Sequence, residues 1–124
     1  MDDKYTNRTV EEVLEHHIKY LGEGNLEETL KDYTDESYLI NPNGVVCGLD
    51  ELRAFFDDSI RNCLPPDTIQ KFVCKRVHGD LAYIVWNAES RFYSVPFGTD
   101  SFVIRNGHIV MQTFAGIMKE VEKS

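Results

Sequence analysis

No stretch of the chain approaches the ~20 consecutive apolar residues that a membrane-spanning helix requires. The amino terminus, MDDKYTNRTVEE, also lacks the basic segment followed by an apolar one that marks a secretory leader. Cysteine is scarce: Cys47, Cys63 and Cys74 are an odd number without CxxC spacing, which argues against a complete disulfide framework and a zinc site. They read as reduced thiols, and a cytoplasmic protein is expected. Positive charge is in short supply too, with 13 Lys and Arg against 21 Asp and Glu and a formal net charge of -8. Such a balance repels phosphate backbones and anionic lipid, so neither nucleic acid nor membrane is an expected partner. The densest basic group, Lys71, Lys75 and Arg76, lies in a strand-like run where solvated outward charges are ordinary. GxSxG, a Walker loop, a dinucleotide fingerprint and spaced metal ligands are all missing, so no cofactor or metal is expected. His78 and His108 fall in turns and have no spaced partners.

What is present fits one domain spanning 1–124, with 42% hydrophobic residues to build a single core. Thr9 and Glu12 form a TxxE capping box, and Val10, Val13, Leu14, Ile18 and Leu21 follow at helical spacing until Gly22 and Gly24. Asn25 and Glu28 cap a short second helix, after which 37–41 turn strand-like and end at Pro42-Asn43-Gly44. Leu52, Phe55, Phe56, Ile60 and Cys63 mark one face of a third helix that Pro65-Pro66 closes. From Thr68 the period changes to two, with turns at His78-Gly79-Asp80 and Asn106-Gly107 and an irregular connection around Pro96 and Gly98. The expected class is α+β, with three N-terminal helices packed on one face of a curved antiparallel sheet.

Within GTDSFVIRNGHIVMQTF, Asp100 shares the inward phase of Phe102 and Ile104, where a strand should carry no charge. A carboxylate there demands a polar partner or a proton, and so predicts a pocket and a raised pKa if burial dominates. His17 lies seven residues after Val10 on the apolar side of the first helix, which makes it either a core histidine satisfied by a carbonyl or a partner of Asp100.

The opening helix ending in LGEGNLEETLKDYTDE, the strand and turn LINPNGVVCG and the terminal DSFVIRNGHIVMQTF together resemble the nuclear transport factor two-like superfamily. Ketosteroid isomerases, SnoaL-like polyketide cyclases, scytalone dehydratase and many uncharacterised bacterial proteins share its cone-shaped fold. The resemblance implies a pocket between helices and sheet. Asn41 takes the place of the isomerase's Asp base, so steroid isomerase activity is not implied. His17 falls on an oxyanion-binding tyrosine, Asp100 on the matching carboxyl group, Tyr33 on a network tyrosine, and Phe56 replaces a further tyrosine.

Asn41 is otherwise a turn-initiating residue before Pro42, or an amide that orients a ligand, and Gln112 shares a strand face with Phe114. Trp86 with Ala82, Ile84 and Ala88 leaves concavity, and Phe55, Phe56, Trp86, Phe102 and Phe114 would line an apolar chamber or an ordinary core. Two functions stand. One is a pocket for a small apolar or ring-shaped ligand, with cofactor-free acid/base catalysis of isomerase, cyclase or dehydratase type at Asp100 and His17. The other is a non-catalytic binding or dimerisation domain. Val73, Tyr83, Val85 and Met111, apolar and outward in phase, would meet a second copy in a homodimer.

Overall fold

A computed structural model describes residues 4–122. Helix α1 (Val10–Gly22) starts at the expected capping box, with both reciprocal Thr9–Glu12 bonds formed, and buries Val13, Leu14 and His17. Helix α2 (Leu26–Leu30) is capped by the Asn25 side chain on the Glu28 amide. Two four-residue strands follow, β1 (Tyr38–Asn41) and β2 (Gly44–Cys47), joined at Pro42-Asn43. Only then comes α3 (Gly48–Asn62), so the helices do not all precede the sheet. The rest is a meander of β3 (Ile69–His78), β4 (Leu81–Glu89), β5 (Tyr93–Arg105) and β6 (His108–Glu120).

The six strands form one curved sheet in the order β2-β1-β6-β5-β4-β3. It is mixed rather than antiparallel, because β1 runs parallel to β6 with Leu39 beside Gln112. No hairpin links those two strands, so no local turn fixes their relative direction, and strand periodicity carries no sign of it. The irregular connection expected around Pro96 and Gly98 is instead part of the 13-residue β5. Its register against β6 shifts between Ser94 and Phe97, and this bulge accommodates Pro96, which has no N–H to give to a ladder.

Alternation sets the inner face. Ala82, Phe102, Gln112 and Leu39 lie side by side across β4, β5, β6 and β1; Ile84, Asp100 and Phe114 form the next row; Trp86, Gly98 and Gly116 form a third. Helix α1 packs over β4 and β5, and α3 over β1 and β2. The core lies between these layers, around fully buried Val13, Leu39, Leu52, Phe102 and Ile109. No helix among the described residues is long and apolar enough to cross a membrane.

Candidate functional site

Two rows of the inner face are polar at one point each, and these points are joined. The Trp86 indole N–H donates to Asp100 Oδ1 at 2.8 Å, and the Gln112 amide donates to Asp100 Oδ2 at 2.9 Å. Gln112 Oε1 accepts the Tyr33 hydroxyl at 2.5 Å, and that hydroxyl lies 3.4 Å from His17 Nδ1. A buried chain of side chains therefore runs from Trp86 through Asp100, Gln112 and Tyr33 to His17. Every member is at least nine-tenths buried, so each contact operates with little screening by water.

The sequence places the members by simple means. Asp100 and Gln112 stand diagonally on adjacent antiparallel strands, within reach of a long amide. Trp86 pairs with Gly98, where an added Cβ would lie 2.7 Å from the indole ring. Glycine there lets the ring lie across β5 with its N–H on Asp100. Burial pushes the Asp100 carboxyl up to about 6 against the opposing pull of the Trp86 and Gln112 hydrogen bonds. Burial likewise lowers His17 to about 4, with the nearby His16 adding to the effect, and raises the Tyr33 hydroxyl well above its ordinary value.

Every member of this series but Tyr33 borders a cavity of about 630 Å³. Its walls include Phe55 and Phe56 from α3, Ile84 and Trp86 from β4, and Phe114 from β6, with His17 and Asp100 among the polar lining. Thr68 Oγ1, also on the lining residues, is buried without a partner among the described residues. No group of three or more His, Cys, Asp or Glu side chains among the described residues is arranged to hold a metal ion.

No family model and no curated protein matches the sequence. Solved structures do. An NTF2-like protein of unknown function from Cytophaga hutchinsonii superposes with a TM-score of 0.73 at 11% identity, over 90% of this chain and 93% of that one. A protein of Kribbella flavida described provisionally as a ketosteroid isomerase gives 0.73 at 13% identity, over 93% of this chain and 81% of its own. One from Sinorhizobium meliloti, described provisionally as a polyketide cyclase, gives 0.69 at 12%, over 90% and 99%. The fold is NTF2-like. At such identities the likeness is one of architecture, and the chemistry has to come from this chain's own residues.

Within the NTF2-like fold the expected site residues divide. His17, Asn41, Phe55, Trp86, Asp100, Gln112 and Phe114 all line the cavity. Phe102 does not: it is fully buried, with its ring centroid 5.2 Å from that of His17, because α1 covers that row of the sheet. Tyr33 lies behind the cavity wall, hydrogen-bonded to Gln112 and His17 and packed against Phe56. The direct His17–Asp100 pair is replaced by the two intervening residues. Asn41 spends its side-chain oxygen on the Asn43 amide at 2.7 Å, the ordinary use of an asparagine before a turn. Tyr93, Met118, Phe72 and Leu21 also line the cavity and were not among the expected site residues. Leu21 had a legible signal in its helical phase; the strand residues lie beyond bulges that break the alternation.

Proposed function

We propose that this NTF2-like protein binds a small, largely apolar, ring-shaped molecule in the cavity between helices and sheet, with Asp100 as its polar anchor and proton-exchanging group. The observation that carries this reading is a buried carboxyl group, 7% exposed, held on both oxygens by fixed N–H donors at the wall of an aromatic cavity. A carboxyl whose proton is exchanged near pH 6 suits acid/base work on a bound ring, without a cofactor. Isomerisation, cyclisation and dehydration are the reaction types such a group serves.

Binding without reaction is the second reading, and the engagement of Asn41 in its own turn favours it. An amide tied to Asn43 supplies no base where an isomerase would place one. In either case the free thiols Cys47, Cys63 and Cys74 fit a cytoplasmic setting. We also propose a homodimer through the outer sheet face.

Trp86 is the single tryptophan and sits on the cavity wall, so its fluorescence reports the site directly. Titration with a panel of two- and three-ring phenols and ketones is expected to quench it saturably for at least one class. No saturable change across the panel, with native mass spectrometry of the purified protein showing no bound molecule, overturns the binding function.

A further inference from the structure

The hydrogen bonds between Asp100 and His17 have directions that the chemistry of each group dictates. An indole N–H only donates, so Asp100 Oδ1 accepts from Trp86. While Asp100 is ionised, Oδ2 also only accepts, which obliges Gln112 to turn its NH₂ toward Asp100 and its carbonyl toward Tyr33. A carbonyl cannot donate, so Tyr33 gives its hydroxyl proton to Gln112 and keeps a lone pair facing His17 Nδ1. Nδ1 must then carry the imidazole proton. In a neutral ring this leaves Nε2 bare. That atom has no partner among the described residues and is not among the buried unpartnered atoms. His17 lines the cavity while its Nδ1 edge is turned to Tyr33, so the opposite edge of the ring, which carries Nε2, is the one we assign to the cavity side.

A proton on Asp100 Oδ2, when directed at Gln112, reverses every step. The acid donates to Gln112, whose amide turns over; the NH₂ donates to Tyr33, and Tyr33 donates to His17 Nδ1. His17 gives up its Nδ1 proton to solvent and takes one on Nε2, so the net change is the single proton held by Asp100. Trp86 is undisturbed, because Oδ1 of the neutral acid is still an acceptor.

We propose that His17 Nε2 is the specificity-determining atom of the cavity: it selects a ring alcohol or amine while Asp100 is ionised, and a ring ketone or ether once Asp100 is protonated. The statement about ligands rests on the binding function proposed above; the reversal itself does not. Few other charges interfere. Asp100 faces Trp86 of β4 and Gln112 of β6, with Tyr33 and His17 beyond them. Asp32 and His16 act on Tyr33 and His17 from the far side, and Asp58, Cys63 and Tyr93 line the cavity. Burial holds His17 neutral down to about 4 and Asp100 protonated up to about 6, so the reversed state has a pH interval in which to exist.

The test reads the tautomer of His17 by long-range proton–nitrogen NMR of histidine-labelled protein at about pH 7.5 and about pH 5. The expected result is a protonated Nδ1 at the higher pH and a protonated Nε2 at the lower one. Asp100→Asn should show protonated Nε2 at both, since Trp86 claims the new carbonyl and leaves the NH₂ for Gln112. The same tautomer of wild-type His17 at both pH values overturns the proposal, whether or not the variant folds. As probes, 2-naphthol should bind about tenfold more tightly than 2-methoxynaphthalene at the higher pH, with the preference lost at the lower one. Exchange of tautomers with no binding of either probe upholds the reversal and sinks only the binding function. A preference between the two compounds that ignores pH overturns the specificity role.

Discussion

At the scale of single residues, His17 and Asp100 load the same core with opposite dependences on pH. Asp100 holds its proton to about 6 in the folded chain against an ordinary 3.8, so its contribution to stability is complete below 3.8 and lost as pH rises through about 6. His17 protonates only near 4 when folded against 6.5 ordinarily, so its neutral ring contributes fully above 6.5, and that contribution is lost as pH falls through about 4. Each interval corresponds to on the order of 3 kcal/mol, and the two nearly cancel in the wild type. Relative to wild type, Asp100→Asn should therefore gain about 3 kcal/mol between pH 4 and 6.5, and His17→Gln should lose about as much. Urea unfolding across that range checks both, and parallel curves for all three proteins would refute the opposition. The two residues were readable from sequence because an ionisable group in apolar phase is conspicuous. Phe102 was not separable from a cavity wall, since inward phase alone does not say whether a helix lies above it. Nor did any local pattern show that Tyr33 and Gln112 would come between His17 and Asp100, since the four residues come from α1, the segment after α2, β5 and β6.

At the scale of elements, one ionic cluster ties the segment before α1 to α2 and to the β5–β6 hairpin. Arg8 Nη1 meets Asp32 Oδ1 at 2.7 Å, its Nη2 donates to the Gly107 carbonyl at 2.6 Å, and its Nε donates to the Tyr5 carbonyl at 3.0 Å. His16 adds its Nδ1 at 2.8–2.9 Å from Asp32, and the Asp32 carbonyl accepts from the Ile109 amide. The turn glycine Gly107, at φ 74, is needed twice: its Cβ would lie 1.9 Å from the Tyr5 carbonyl oxygen. Asp32 is wholly buried, and burial raises its pKa against the pull of His16 and Arg8. Arg8→Met leaves that buried carboxyl group with His16 as its remaining charged partner among the described residues and should cost about 3 kcal/mol in chemical denaturation. Adding Asp32→Asn should recover part of the loss; no loss in the single variant would show that the cluster is not a clamp. The elements themselves were largely legible, because the Thr9 box, the Asn25 cap and Asn106-Gly107 are local signals that nothing in the tertiary structure opposes. The parallel seat of β1 and the continuity of β5 through Pro96 were not, since both depend on partners distant in sequence.

At the scale of the whole molecule, the outer sheet face is apolar across four strands. Leu81, Val103, Met111 and Tyr38 form one row, Tyr83, Ser101, Thr113 and Ile40 the next, and Val85, Thr99 and Ala115 a third. Val73 stands at the register shift of β3 with 66% of its surface exposed, and Tyr83 has 38% exposed, whereas Val85 and Met111 are half-buried among their neighbours. No helix among the described residues covers this side, because α1 and α3 both pack on the other. Ser101, Thr99 and Thr113 are the polar interruptions of this face, and a twofold pairing of two such faces would cover its exposed apolar side chains and close without leaving a new edge. Light scattering at micromolar concentration should accordingly report a dimer. Tyr83→Glu places a charge at the β4 end of the middle row and should shift the protein to monomer while leaving the cavity on the opposite side intact, as Trp86 fluorescence would show. A wild-type protein that scatters as a monomer at micromolar concentration and above rejects the interface.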